Sequence, residues 1–194
     1  MWPWEHLAVG YILASLLWRA RGRVPNGATA LAVAVGTQFP DLVDKPLAWG
    51  VGVLERGISV AHSVFVAVPL SLLAIGLARR YGDESDLRIT LGSALGYLSH
   101  IPADAVYPVL YGDRFRVDSF LWPIATPPGD PEGGFVAKIP GFLAQSLALV
   151  TGPRGALFLA LEALLVGTAL VLWVRDGAPG VPRPRSDRPQ PSDR

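Results

Sequence analysis

The stretch "ISVAHSVFVAVPLSLLAIGLA", residues 58–78, contains no Lys, Arg, Asp or Glu in 21 positions. A hydrocarbon core needs about 20 mostly apolar residues per helix, so this stretch reads as a membrane span. A second, "GALFLALEALLVGTALVLWV" at 155–174, is interrupted only by Glu162. Working outward, residues 2–18, 26–43 and 89–111 also qualify, which gives five. Trp2, Trp4, Trp18, Trp49 and Trp122 fall near the span ends, where amphipathic aromatics anchor at headgroups.

The whole composition agrees. Of 194 residues, 51% are hydrophobic and 17% charged, and the mean hydropathy is +0.36. A water-soluble domain carries about 25% charged residues. A net charge of +1 excludes a basic nucleic-acid binder. The absence of cysteine excludes disulfides, thiolate metal sites and cysteine nucleophiles.

Orientation follows from counting positive charges. With the N-terminus outside, the inner segments 19–25, 79–88 and 175–194 hold 11 arginines, and the outer segments hold 6 Lys or Arg. The positive-inside rule therefore expects N-outside and C-inside. The first span is not read as a cleaved signal peptide, because its positive charges ("RARGR", 19–23) follow the apolar run. The expected fold is an all-α integral membrane bundle of about five transmembrane helices over residues 1–175. The proline-rich residues 176–194 read as a disordered cytoplasmic tail. The 112–154 loop is expected outside, with "IPGFLAQSLALV" (139–150), too short to span, forming an interfacial or re-entrant helix.

Ionisable side chains inside a bilayer cost about 2.5–3.5 kcal/mol each and persist where they face the bundle interior. The three histidines, His6, His62 and His100, all lie in spans or at their edges, with Asp41, Asp44, Asp104 and Glu162. Alternation of spans carries all of these except Glu162 to the same side of the membrane. Singly each has a plain structural reading: a helix-to-helix hydrogen bond for a histidine, a helix stop for "PDLVDKP". The shared side favours a site. His100 and Asp104 are four apart, on one helix face, with Pro102 between them expected to kink the helix. Along straight helices His62 and His100 would differ in depth by about 10 Å.

Imidazole with carboxylate and no thiolate suits zinc, manganese or iron(II). Six candidates exceed the three protein ligands of a catalytic zinc. Either some orient the ligands or there are two metals. A metal lowers the pKa of its water to about 7, and a free carboxylate takes the proton.

In order along the chain, the early His6, "GTQFPDLVDKPLAW" (36–49), "GISVAHSVFVAVP" (57–69), "LGYLSHIPADAVYPVLYG" (95–112) and "FLWPI" (120–124) resemble a family of membrane-bound metal-dependent hydrolases. That family is also described as LexA-binding, inner-membrane-associated hydrolases. The resemblance covers His6 to about Pro123. Its signature residues match His6, Asp41, His62, Ser63, His100 and Asp104. It implies membrane location, a bound divalent metal and hydrolysis. The LexA association is not carried over. This chain departs where many members have a second acid two positions after the first, followed by His; here Asp44 stands three positions on, before Lys45. It also has Glu55–Arg56 in place of a nearer His-Arg pair.

The resulting expectation is a hydrolase of the inner membrane, an enzyme in which metal-activated water attacks an ester or phosphoester, with a membrane lipid as the first substrate class. Asp41, His62, His100 and Asp104 are the expected ligands of a divalent ion, zinc first, then manganese or iron. His6 is a further ligand or a partner to one, and Asp44 the general base. A metal or proton transporter and a non-enzymatic scaffold are the alternatives.

Overall fold

The computed structural model describes residues 1–110, 115–125 and 133–182. Among these the chain forms α1 (Pro3–Arg19), α2 (Gly27–Lys45), α3 (Val64–Tyr81), α4 (Glu84–Leu110), α5 (Phe135–Thr151) and α6 (Gly155–Arg175). A single π turn, Pro46–Gly50, extends α2, and a 3-10 turn, Val117–Ser119, follows α4. No strand occurs among the described residues.

Local chemistry sets the helix ends. Pro3 opens α1, where its missing N–H costs nothing. The Glu5 carboxylate reaches back to the Trp2 N–H. Asn26 caps α2 by accepting from the Thr29 N–H at 2.8 Å. Ser63 caps α3, accepting from the Phe65 N–H at 3.2 Å. Arginines close α3 and α6, facing the negative ends of those helices.

The distribution of side chains is the reverse of a protein in water. The largest fully buried side chains include His6, His62, His100, Glu5, Thr29, Thr37 and Asp44. Leu31, Leu72, Leu73, Leu164 and Val174 are 60% exposed or more. Water would drive these leucines inward; an apolar solvent leaves them outside and sequesters the polar groups. α3 and α6 are each long and apolar enough to cross a membrane, and hardly any of their residues are buried in the protein. They correspond to the predicted spans 58–78 and 155–174. α1, α2 and α4 overlap the other three predicted stretches in sequence.

α4 lies at the centre, packed against α1, α2 and α3. Its approach to α2 is set by glycine. A Cβ on Gly36 would fall 2.1 Å from the Ser93 carbonyl oxygen, and one on Gly96 would fall 2.3 Å from that of Val33. Only hydrogen fits at these crossings, so the two backbones touch, as small residues permit in membrane bundles. At the polar start of α4, ahead of its apolar stretch, Glu84 takes Arg23 at 2.7 Å and Arg88 at 2.6 Å. The two guanidiniums, Arg88 first, hold its carboxyl down at about 2.

Three predicted boundaries move. Residues 58–63 are not helical, because Ser63 starts α3 and the Asp44 carboxylate takes backbone N–H groups ahead of it. α4 starts at Glu84, five residues ahead of the predicted span 89–111, and runs through Pro102 and Pro108 as that span does. The short helix predicted at 139–150 runs from Phe135 to Thr151 as α5. At the far end, Asp176 is buried, bound by Arg19 at 2.6 Å and by the Tyr11 hydroxyl at 2.9 Å. Residues 183–194, most of the predicted tail, lie outside the described residues.

Candidate metal centre

The segment after the π turn returns over the end of α2 and is fastened there by Asp44. Its carboxylate is fully buried and accepts from the backbone N–H of Ser59 (2.8 Å), Ala61 (3.0 Å) and His62 (3.2 Å). The Tyr97 hydroxyl from α4 donates to the Ala61 carbonyl at 2.7 Å. Ser63 donates to the Trp122 carbonyl at 2.6 Å. These contacts bring His62 across the depth that straight helices would have left between it and His100.

Two imidazoles then meet edge to edge. His62 Nδ1 lies 2.8 Å from Asp44 Oδ2. His100 Nδ1 lies 2.6 Å from the Thr37 carbonyl oxygen. A carbonyl or an ionised carboxylate has no proton to give, so each Nδ1 is the donor, and a ring in its neutral form keeps its lone pair on Nε2. Those two Nε2 atoms are 3.2 Å apart. Two such lone pairs facing at that distance repel unless a cation, a proton or a metal ion, lies between them.

Two carboxylates supply the complementary charge. Asp104 Oδ2 lies 3.1 Å from His100 Nε2 and 3.6 Å from His62 Nε2. Asp41 Oδ1 lies 3.4 Å from His62 Nε2 and 3.8 Å from His100 Nε2. Asp41 Oδ1 is buried without a hydrogen-bond partner. Its other oxygen holds Lys45 at 2.5 Å, one helical turn on. Ligand atoms from Asp41, His62, His100 and Asp104 all fall within 4.8 Å of one another, a group able to hold a metal ion. The fit is chemical as well as geometric. Two neutral nitrogens and two anionic oxygens suit a divalent cation of borderline hardness, and each imidazole has a partner fixing its tautomer.

Of the sequence-predicted residues, those four converge. His6 stands at the edge of the group. Its ring stacks on that of His100 at 3.7 Å between centroids, and its Nε2 is 3.2 Å from Asp104 Oδ1. The Met1 amino group reaches the same oxygen at 2.8 Å. Asp44 stands behind His62, with both oxygens engaged by the 59–62 segment. Glu162 is elsewhere, accepting from the Trp4 indole N–H at 2.6 Å. Sequence reading missed Thr37 and Tyr97. Thr37 acts through its backbone carbonyl, which no side-chain pattern reveals. Tyr97 sits three residues before His100 and was legible only as an aromatic in a span.

Asp41 and Asp104 also border a cavity of about 510 Å³ beneath α5. Site, cavity and α5 thus share one end of the bundle.

No curated protein and no solved structure matches the chain. A family model, that of the YdjM inner membrane protein, matches residues 1–177. This match spans every helix and the whole Asp/His cluster, in agreement with the apolar exterior of α3 and α6. The chain therefore belongs to the YdjM inner membrane protein family.

Proposed function

We propose that this inner membrane protein is a metal-dependent hydrolase, with Asp41, His62, His100 and Asp104 holding a divalent ion, zinc in the first instance. The observation that carries the reading is the convergence of the two Nε2 atoms, 3.2 Å apart, with oxygens of Asp41 and Asp104. When bound, such an ion lowers the pKa of water and polarises a carbonyl or phosphoryl oxygen.

The chain's own residues have separable duties. Asp44 and the Thr37 carbonyl hold His62 and His100 in one tautomer and orientation. Asp44 is fully occupied by that task, so in this reading it is a positioning residue and not the base. The base duty passes to Asp104, which borders the cavity. Its Oδ1, which also accepts from the Met1 amino group at 2.8 Å, would take a proton from water there, with His6 Nε2, 3.2 Å away, to share it. Lys45 neutralises Asp41 Oδ2.

In the membrane we read α1, α2, α3, α4 and α6 as five spans with the N-terminus outside, and α5 as an interfacial helix over the site. The exposed apolar faces of α3 and α6 and the shared end of site and cavity support this. A membrane ester or phosphoester is the corresponding substrate class.

The test is elemental analysis of protein purified without chelator, beside His62→Ala. The expected result is bound divalent metal in the parent and a marked drop in the variant. Near-zero metal in the parent, or undiminished metal in the variant, would overturn the reading. Hydrolysis of a chromogenic ester and a chromogenic phosphoester should be chelator-sensitive and lost in His100→Ala with Asp104→Ala.

A further inference from the structure

Two adjoining cavities, of about 520 and 510 Å³, lie between α5 and the ends of α2 and α4. They share Asp41, Lys45, Trp49, Arg116 and Phe142 in their linings, and Lys138 joins the second. That is the size of a site for a ligand of several hundred Å³. The chamber has a charged part and an apolar part. Lys45 Nζ and Lys138 Nζ lie 5.7 and 5.4 Å from the centre of the same Trp49 ring. Arg116, held beside Asp118, also lines it. Among the described residues its acidic lining is Asp41 and Asp104, both turned into the Asp/His cluster. The apolar part is aromatic: α5 seats Phe135 and Phe142 on Trp49, at 5.1 and 5.9 Å between centroids. Beyond them α5 presents Val136, Leu143 and Leu147, all more than half exposed, so the apolar wall continues to the outer surface.

An anionic head beside a long apolar chain matches this division. A neutral ester would draw on none of this positive charge, whereas a phosphate adds acceptors to Lys45 beside Asp41, to Arg116 beside Asp118 and to Lys138. A phosphate carries about −1.5 to −2 charge near neutral pH and three strong acceptor oxygens. The Met1 amino group stands at the same chamber, so its cations outnumber Asp41 and Asp104 before any divalent ion is bound. We infer that the chamber under α5 binds a phosphorylated amphiphile, with its phosphate among Lys45, Lys138 and Arg116 and its chain along Trp49 and Phe142. The inference rests on the hydrolase reading for what happens to the bound molecule, not for its binding.

The experiment is calorimetric titration of the full chain in a nonionic maltoside with dodecyl phosphate, dodecanol and inorganic phosphate. Dodecyl phosphate should bind at least about tenfold more tightly than either comparator, as one charge-assisted contact supplies. Lys138→Gln should weaken it about tenfold, by the same arithmetic, and Lys138→Arg should restore most of the affinity. Equal binding of dodecanol, equal binding of inorganic phosphate, or indifference to Lys138→Gln in a folded variant would each overturn the proposal. Metal content of the same preparations reports on the hydrolase reading separately. Metal-free protein that still binds dodecyl phosphate through Lys138 would support the chamber's assignment while ending that of the hydrolase.

Discussion

Replacing Asp44 by Asn tests how the centre is held. The carboxylate accepts from three backbone N–H groups and from His62 Nδ1, within 2.8–3.2 Å. An asparagine keeps the shape but offers one acceptor oxygen, and its NH2 faces donors where the second oxygen was. At least one buried N–H then lacks a partner, at about 1–3 kcal/mol. The His62 ring also loses the anion that fixes its tautomer. Changes at such outer partners typically cost about 10–100-fold in metal affinity, or roughly 1.4–2.7 kcal/mol. The assay is competition for zinc against a chromophoric chelator, with thermal unfolding measured on the same sample. A positioning role predicts that metal affinity falls by this amount and that activity at saturating metal falls less. Unchanged affinity in a folded variant whose activity collapses would refute the reasoning and return Asp44 to the role of base.

Gly36→Ala should destabilise the protein by about 1–3 kcal/mol, as overpacking does, because its Cβ would fall 2.1 Å from the Ser93 carbonyl oxygen; chemical denaturation in detergent checks this. Metal affinity should fall on acidification, since His62 and His100 must be unprotonated at Nε2 to act as ligands; zinc competition repeated at successively lower pH reads it, and affinity independent of pH would count against imidazole ligands. Glu84 is held at about 2 by Arg88 and Arg23. Its ion pairs therefore stabilise the folded chain above the ordinary carboxylate range, and that contribution is lost as pH falls through about 2. Arg23→Ala should move the Glu84 titration, followed by carbon NMR, back toward the ordinary value without reaching it, because Arg88 remains.

The sequence by itself determined the solvent and the cast of the site. An uncharged run at 58–78 and a nearly uncharged one at 155–174 require an apolar surrounding. Four of the residues too costly to leave in lipid, Asp41, His62, His100 and Asp104, are those the fold gathers. Transfer free energy makes this legible, because it acts residue by residue along a chain. Roles were not legible in the same way. Asp41 and Asp44 are the same side chain three residues apart, yet one faces the cluster and the other faces backbone N–H groups behind His62. His6 and His100 are both span histidines, yet His100 turns its Nε2 edge to His62 while His6 lies stacked on the His100 ring. Only the tertiary structure decided these. The close crossing of α2 and α4 at Gly36 and Gly96 and the return of residues 51–63 onto Asp44 set which atom of each ring points inward. Orientation depends on contacts between distant segments, and sequence spacing carries no term for them.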